Sequence, residues 1–121
     1  MECKSLMIGD WVNEVIVGIH QWDIPDYPDF DEKYVKPISL TPEILKKNGW
    51  KHCDFGWYHK NVDFLVILSN GRTKGVSVTD GNKVVFWVDY VHELQRALRC
   101  CDLWDLANNF KINKTDIIKN I

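Results

Sequence analysis

The sequence predicts an α+β domain: an antiparallel β-meander, a sheet or partly open barrel, with one short helix and one main amphipathic helix packed on it. Three observations carry this expectation. Strand-like runs between residues 53 and 88 are separated by Lys60-Asn61, Asn70-Gly71 and Asp80-Gly81, and Asn-Gly and Asp-Gly are the strongest short hairpin signals. Directly after them the apolar spacing changes from period two to helical. Before them, a short segment carries both a helix start and a helix stop.

Length bounds the rest. A chain of 121 residues forms one domain, and a domain of this size buries roughly two thirds of the surface its unfolded chain exposes. We therefore take 1–121 as a single domain, with an acidic Pro-rich arm at 23–32 and a basic-apolar tail at 111–121. Six tryptophans supply large rings for a core or a contact face.

In chain order, Gly9 to Asp23 reads as a turn followed by a single strand. Trp11, Val15, Val17 and Ile19 share one face and Val12 and Ile16 the other, so both faces are covered. Glu32 to Ser39 is a shorter strand that Pro37 confines to an edge. In "LTPEILKKNGW", Thr41 is the N-cap and Pro42 the first helical residue, where its missing N–H costs nothing. Leu40 and Leu45 form a hydrophobic staple. Asn48-Gly49 ends the helix, and Lys46 and Lys47 suit its negative end.

The meander follows as "CDFGWYHK", "VDFLVILS", "TKGVSVTD" and "KVVFWV". Loops this short force antiparallel neighbours. In "DYVHELQRALRCCDLWDLANNF", Val91, Leu94, Leu98 and Cys101 form the apolar stripe, with Asp89 as N-cap. His92, Glu93, Arg96 and Arg99 fall on the opposite, polar side.

Several functions are disfavoured. A formal charge of −2 offers no basic face for duplex nucleic acid. No apolar run approaches the roughly 20 residues of a membrane span, and Met1 to Asp10 has no signal-peptide core. A cytoplasmic protein is expected, with Cys3, Cys53, Cys100 and Cys101 as reduced thiols, Cys53 and Cys100 filling core positions. "HELQR" puts Arg96 where a zinc protease needs its second histidine. His52, Cys53 and His59 match no standard zinc spacing. "SNGRTKG" is a hairpin turn rather than a phosphate loop, and His92 with Glu93 lacks a positioned nucleophile. No metal, cofactor or catalytic residue is expected.

Two segments suggest binding. In "DIPDYPDFDE" an acid, an apolar residue and a proline recur with period three, matching the three residues per turn of polyproline II. Asp23, Asp26 and Asp29 then line one edge and Ile24, Tyr27 and Phe30 another, an apolar margin able to rest on protein. It packs on its own domain or on a partner. The tail's Lys111, Lys114 and Lys119 suit an arm-to-tail exchange between identical subunits. Calcium binding is disfavoured, because such aspartates stand about 9 Å apart. The second segment pairs Trp50 and Trp57 with Lys46, Lys51, Arg96 and Arg99, the stacking and phosphate contacts a nucleotide needs. Its plainer explanation is a solvated helix end beside two core tryptophans.

Gly9-Asp10-Trp11-Val12, Pro37 to Trp50 and Tyr90 to Gln95 together resemble small proteins of unknown function encoded by phages and mobile elements of gut bacteria. The shared pattern is G-[DN]-W/Y-V, then P-[IL]-x-L-T-x-E-I-L-x-K-N-G-[FW], then Y-V-H-E-L-Q. The resemblance implies an intracellular accessory role and supplies no reaction. The arm and the tail after Phe110 depart from the pattern. The expected function is a small non-enzymatic protein-interaction module, phage-encoded and acting on a host protein or on itself as a homo-oligomer. The alternative is a binder, or sponge, of a nucleotide or short nucleic acid.

Overall fold

The computed structural model describes residues 9–14, 18–22, 35–69, 72–79 and 81–112. The arm residues Asp23, Ile24, Asp26, Tyr27, Asp29 and Phe30, and the tail beyond Ile112, lie outside the described residues. The fold is α+β, with antiparallel sheets of three and five strands and three short helices among the described residues.

The first sheet has the order β2-β1-β3, from β1 (Trp11–Glu14), β2 (Gly18–Gln21) and β3 (Val35–Pro37). The single strand expected over 9–23 is a hairpin, with Trp11 opposite Gln21 and Glu14 opposite Gly18. Gly18 opens the return strand at φ +88°, a left-handed conformation that costs glycine little. The strand β3 lies at an edge, as Pro37 requires.

Helix α1 (Pro42–Lys47) starts and stops where the sequence says. Thr41 Oγ1 accepts the Ile44 N–H at 3.3 Å, and Leu40 and Leu45 both enter the core. At its end Gly49 sits at φ +85°. The Trp50 N–H donates to the Leu45 carbonyl at 3.0 Å and the Gly49 N–H to that of Lys46 at 3.2 Å, a Schellman stop.

The second sheet runs in chain order through β4 (Lys51–Cys53), β5 (Gly56–Tyr58), β6 (Phe64–Leu68), β7 (Thr73–Thr79) and β8 (Asn82–Trp87). The run expected as one strand over 53–60 instead turns at Asp54-Phe55, with Cys53 opposite Gly56. Trp57, Phe64 and Val66 face the core. Phe86 lies flat over Gly75, where a Cβ would come within 2.2 Å of its ring, so only glycine fits there.

Helix α2 (Val91–Cys100) buries Val91, Leu94 and Leu98 as expected. Its N-cap is Tyr90 rather than Asp89. The Asp89 carboxylate is taken by the start of β7, accepting the Thr73 N–H at 2.7 Å and Arg72 Nε at 2.8 Å. The helix stops ten residues before the expected end. Asp102 adopts φ +63°, and Leu103 and Asp102 N–H donate to Leu98 and Arg99 carbonyls, a second Schellman stop. Helix α3 (Trp104–Asn108) follows.

The side of α2 expected to be polar and solvated is also covered. His92, Glu93, Gln95 and Arg99 are buried, whereas Cys101, placed in the apolar stripe, is exposed. The first sheet is the reason, since it lies against α2 where one sheet alone would leave water. Paired backbone links hold the pieces together: Val91 N–H donates to the Ile38 carbonyl at 2.8 Å, and Leu40 N–H to that of Asp89 at 3.1 Å. No helix among the described residues is long and apolar enough to cross a membrane.

Candidate functional site

The Gly9-Asp10-Trp11 and Glu93-Leu94-Gln95 stretches meet one another inside the fold. Arg99 Nη1 donates to Asp10 Oδ1 at 2.5 Å, with both side chains almost fully buried. Gln95 Oε1 accepts the Trp11 N–H at 2.9 Å, and its Nε2 donates to the carbonyls of Gly9 (2.7 Å) and Ala107 (2.9 Å). The Trp11 indole N–H donates to the Phe110 carbonyl. Gly9 sits at φ +94°, and a Cβ there would crowd Asn108 and Arg99. All but the Gln95–Ala107 bond join the start of the chain to its last third. The Gly-Asp-Trp and Glu-Leu-Gln motifs thus tie β1 to α2 and α3, and their chemistry is spent on holding the fold.

The nucleotide set read from the sequence does not assemble. Trp50 and Trp57 are 3% and 6% exposed, inside the core, so neither ring offers a face for stacking. Trp50 packs against His59 and Phe64, and Trp57 against His52. Arg99 is committed to Asp10. Lys46 on α1 and Lys51 on β4 are exposed. Trp50 and Arg96 line separate hollows, Trp50 one beside Lys47, Asn48 and Phe110, and Arg96 another between β8 and α2.

Nor do the candidate catalytic groups converge. His92 is buried and stacked on Tyr90 with centroids 5.9 Å apart. Glu93 accepts the Tyr90 N–H at 3.1 Å and so caps α2. His59 Nδ1 accepts the Asn61 N–H at 3.1 Å. Burial, then the charge of Lys60, lowers its pKa below the ordinary 6.5, so the ring is neutral at pH 7. Cys53 is half-buried, and Cys100 is exposed rather than in the core. Although Cys101 is exposed, partial desolvation, with Cys100 and Asp63 nearby, pushes its thiol above the ordinary 9.0, away from the thiolate a nucleophile needs. Among the described residues no three His, Cys, Asp or Glu side chains gather as a metal site.

A groove of about 450 Å³ runs between β8 and α2, lined by Arg72, Val85, Phe86 and Trp87 on one side and by Arg96, Ala97 and Cys100 on the other. Trp87 is 44% exposed. The Arg72 guanidinium lies 4.0 Å from its ring centroid and Lys74 Nζ 5.8 Å, because the register places Lys74 directly opposite Trp87.

The groove borders an open sheet edge. The strand β8 pairs with β7 alone among the described residues. Val88 N–H donates to the Thr73 carbonyl at 2.9 Å. Because antiparallel ladders alternate bonded and non-bonded pairs, the register then makes Phe86–Gly75, Val84–Ser77 and Asn82–Thr79 the bonded ones. The N–H and C=O groups of Lys83, Val85 and Trp87 therefore point outward. Arg72, Lys83, Val85 and Trp87 are absent from the sites read from sequence. Their signal is the apolar character of "KVVFWV" on both faces, in the last strand of a meander that no further strand follows among the described residues.

No protein-family model, curated protein or solved structure matches the chain.

Proposed function

We propose that the protein is a small non-enzymatic interaction module that accepts an extended protein segment as an added strand along β8. One observation carries this. The six-residue β8 is the longest edge strand among the described residues, and it exposes Val84, Val85 and Trp87 at 55%, 47% and 44%. Natural edges are usually blunted by charge, proline or shortness. The other edges among the described residues are shorter: β3 and β4 have three residues each and β2 four, and β3 carries Pro37. The strand β8 has a single charge, Lys83. Added strands gain affinity from main-chain bonds and specificity from pockets beside the edge, and the groove supplies such a pocket.

The acidic arm is a second contact element on its sequence pattern, through Ile24, Tyr27 and Phe30. Work in the cytoplasm of a phage-bearing host fits the motifs and the unpaired Cys53, Cys100 and Cys101.

Val85→Pro tests the proposal, since it deletes an outward N–H that β7 does not use. Partners recovered with the wild-type chain from cells producing it, its own second copy included, are expected to be lost with the variant. An unchanged set of partners sinks the proposal.

A nucleotide ligand is a second proposal, supported by the exposed ring of Trp87 beside Arg72 and Lys74. Stacking and cations together suit an anionic base-bearing ligand. It predicts quenching of tryptophan fluorescence by a nucleotide, abolished in Trp87→Leu.

A further inference from the structure

We infer that the occupant of the β8 edge is a second copy of the same edge, paired antiparallel with Val85 opposite Val85, so that two five-stranded sheets become one of ten strands. This rests on the strand-addition proposal and adds the partner and its register.

Only one register pairs all the outward residues of β8 with one another. Two copies of a sheet related by a two-fold axis normal to its plane keep the same face up. Directly opposed residues must then share a face, so their numbers differ by an even count. The outward groups belong to Lys83, Val85 and Trp87. Centring the axis on Val85 sets Lys83 of each copy against Trp87 of the other. All six outward N–H and all six outward C=O groups of the two copies then find partners. Centring on Val84 or Phe86 also sets outward residues against outward ones, but carries Trp87 or Lys83 past the end of the other copy's β8, and moving to Lys83 or Trp87 leaves more of the edge unpaired.

The side chains agree with that register. On the outer face, the Lys83 ammonium reaches the Trp87 ring of the other copy, a cation–π pair, while Arg72 and Lys74 hold that ring from their own copy. On the inner face, Val84, the most exposed of the β8 valines, falls opposite Phe86 of the other copy. There it meets the mouth of the groove, whose near wall is Phe86 and whose far wall includes Ala97. The exposed valine and the apolar hollow thus fill one another twice across the axis.

The chain's own arm is a poorer fit. Pro25 and Pro28 are three apart and so have opposite parity, and in any register one of them turns its missing N–H toward the edge.

Sedimentation equilibrium from micromolar to millimolar protein, on wild type, Val85→Pro and Val85→Lys, tests the pairing. Val85→Lys is a second variant at the same position, which sets two ammonium groups face to face and leaves the β7 ladder alone. A two-chain particle is expected for wild type and a one-chain particle for both variants. The register is read by Val85→Cys and Val84→Cys in an oxidised-glutathione buffer, with peptide mass mapping to separate these thiols from the native ones. A bonded antiparallel pair stands about 5.5 Å apart at Cα, within disulfide range. The two copies of residue 84 would stand about 8 Å apart, beyond it. A symmetric 85–85 link without an 84–84 link is expected. A wild-type chain that stays single at every concentration, a dimer that survives both Val85 variants, or an 84–84 link overturns the inference. If wild type is single and yet loses a foreign partner on Val85→Pro, self-pairing fails and strand addition stands.

Discussion

The junction beneath α2 and the outer edge of β8 invert the usual partition of a protein. At the junction a carboxylate, a guanidinium and an amide are buried. At the edge two valines and a tryptophan stand in solvent. The buried polar groups are tolerated because each has partners: Asp10 for Arg99, and three main-chain groups for Gln95. Burying such groups without partners would cost several kcal/mol each, about 2–7 by transfer measurements. The exposed apolar groups coincide with main-chain groups that have no partner among the described residues. Saturation marks the junction as architecture, and its absence at the edge is what supports the proposed encounter there.

The contrast is broken most forcefully at the junction. Asp10→Ala takes the carboxylate from a guanidinium that the fold keeps from water. Breaking a buried pair on one side costs about 3–5 kcal/mol, a large part of the total stability of a domain this size. Urea denaturation should show the midpoint falling by that measure while the edge variants stay near wild type. A loss below about 1 kcal/mol would mean that the pair is far more hydrated than its burial implies.

How much of this was legible in the sequence differs from element to element. Helices α1 and α2 end in the same Schellman geometry, yet only the first end could be read. Gly49 announces a left-handed residue, whereas Asp102 does the same work with a side chain that merely tolerates it. The first hairpin was hidden because period-two alternation continues on both sides of the reversal. Gly18, inside an apolar run, was the one signal of a turn. The burial of His92, Glu93 and Arg99 was not legible, since a helix pattern shows one apolar face and not what covers the other. The groove was illegible for a related reason: Arg72, Trp87 and Arg96 are brought together only by register and helix placement.

Between the two extremes lies His59, buried at the end of β5 with its Nδ1 accepting a main-chain N–H. Its folded pKa is below the ordinary 6.5, so near and below that pH the unfolded chain binds more protons than the folded one. Stability is then full above about pH 6.5 and is lost as the pH falls from there toward the folded value. His59→Asn keeps an acceptor near the Nδ1 position and removes the titration. Denaturation midpoints of the two proteins from pH 7.5 to 5 should converge as the pH falls, the wild type losing more. Parallel curves would show that the ring protonates freely within the fold.

The smallest effect on the folded chain is expected at the edge itself, and its size depends on concentration. Val85→Lys replaces a half-exposed side chain whose main-chain groups β7 does not use, so in dilute solution the cost should stay within about 0.5 kcal/mol. If two copies pair along β8 as proposed, the wild-type chain gains stability from its second copy by mass action as concentration rises, and the variant does not. The wild-type melting temperature should therefore climb with protein concentration while that of Val85→Lys stays flat, the two meeting at high dilution. The same climb in both proteins would place the self-contact somewhere other than β8. A large gap that persists at high dilution would mean that Val85 serves the core of its own chain, and the edge would then belong with the junction as architecture.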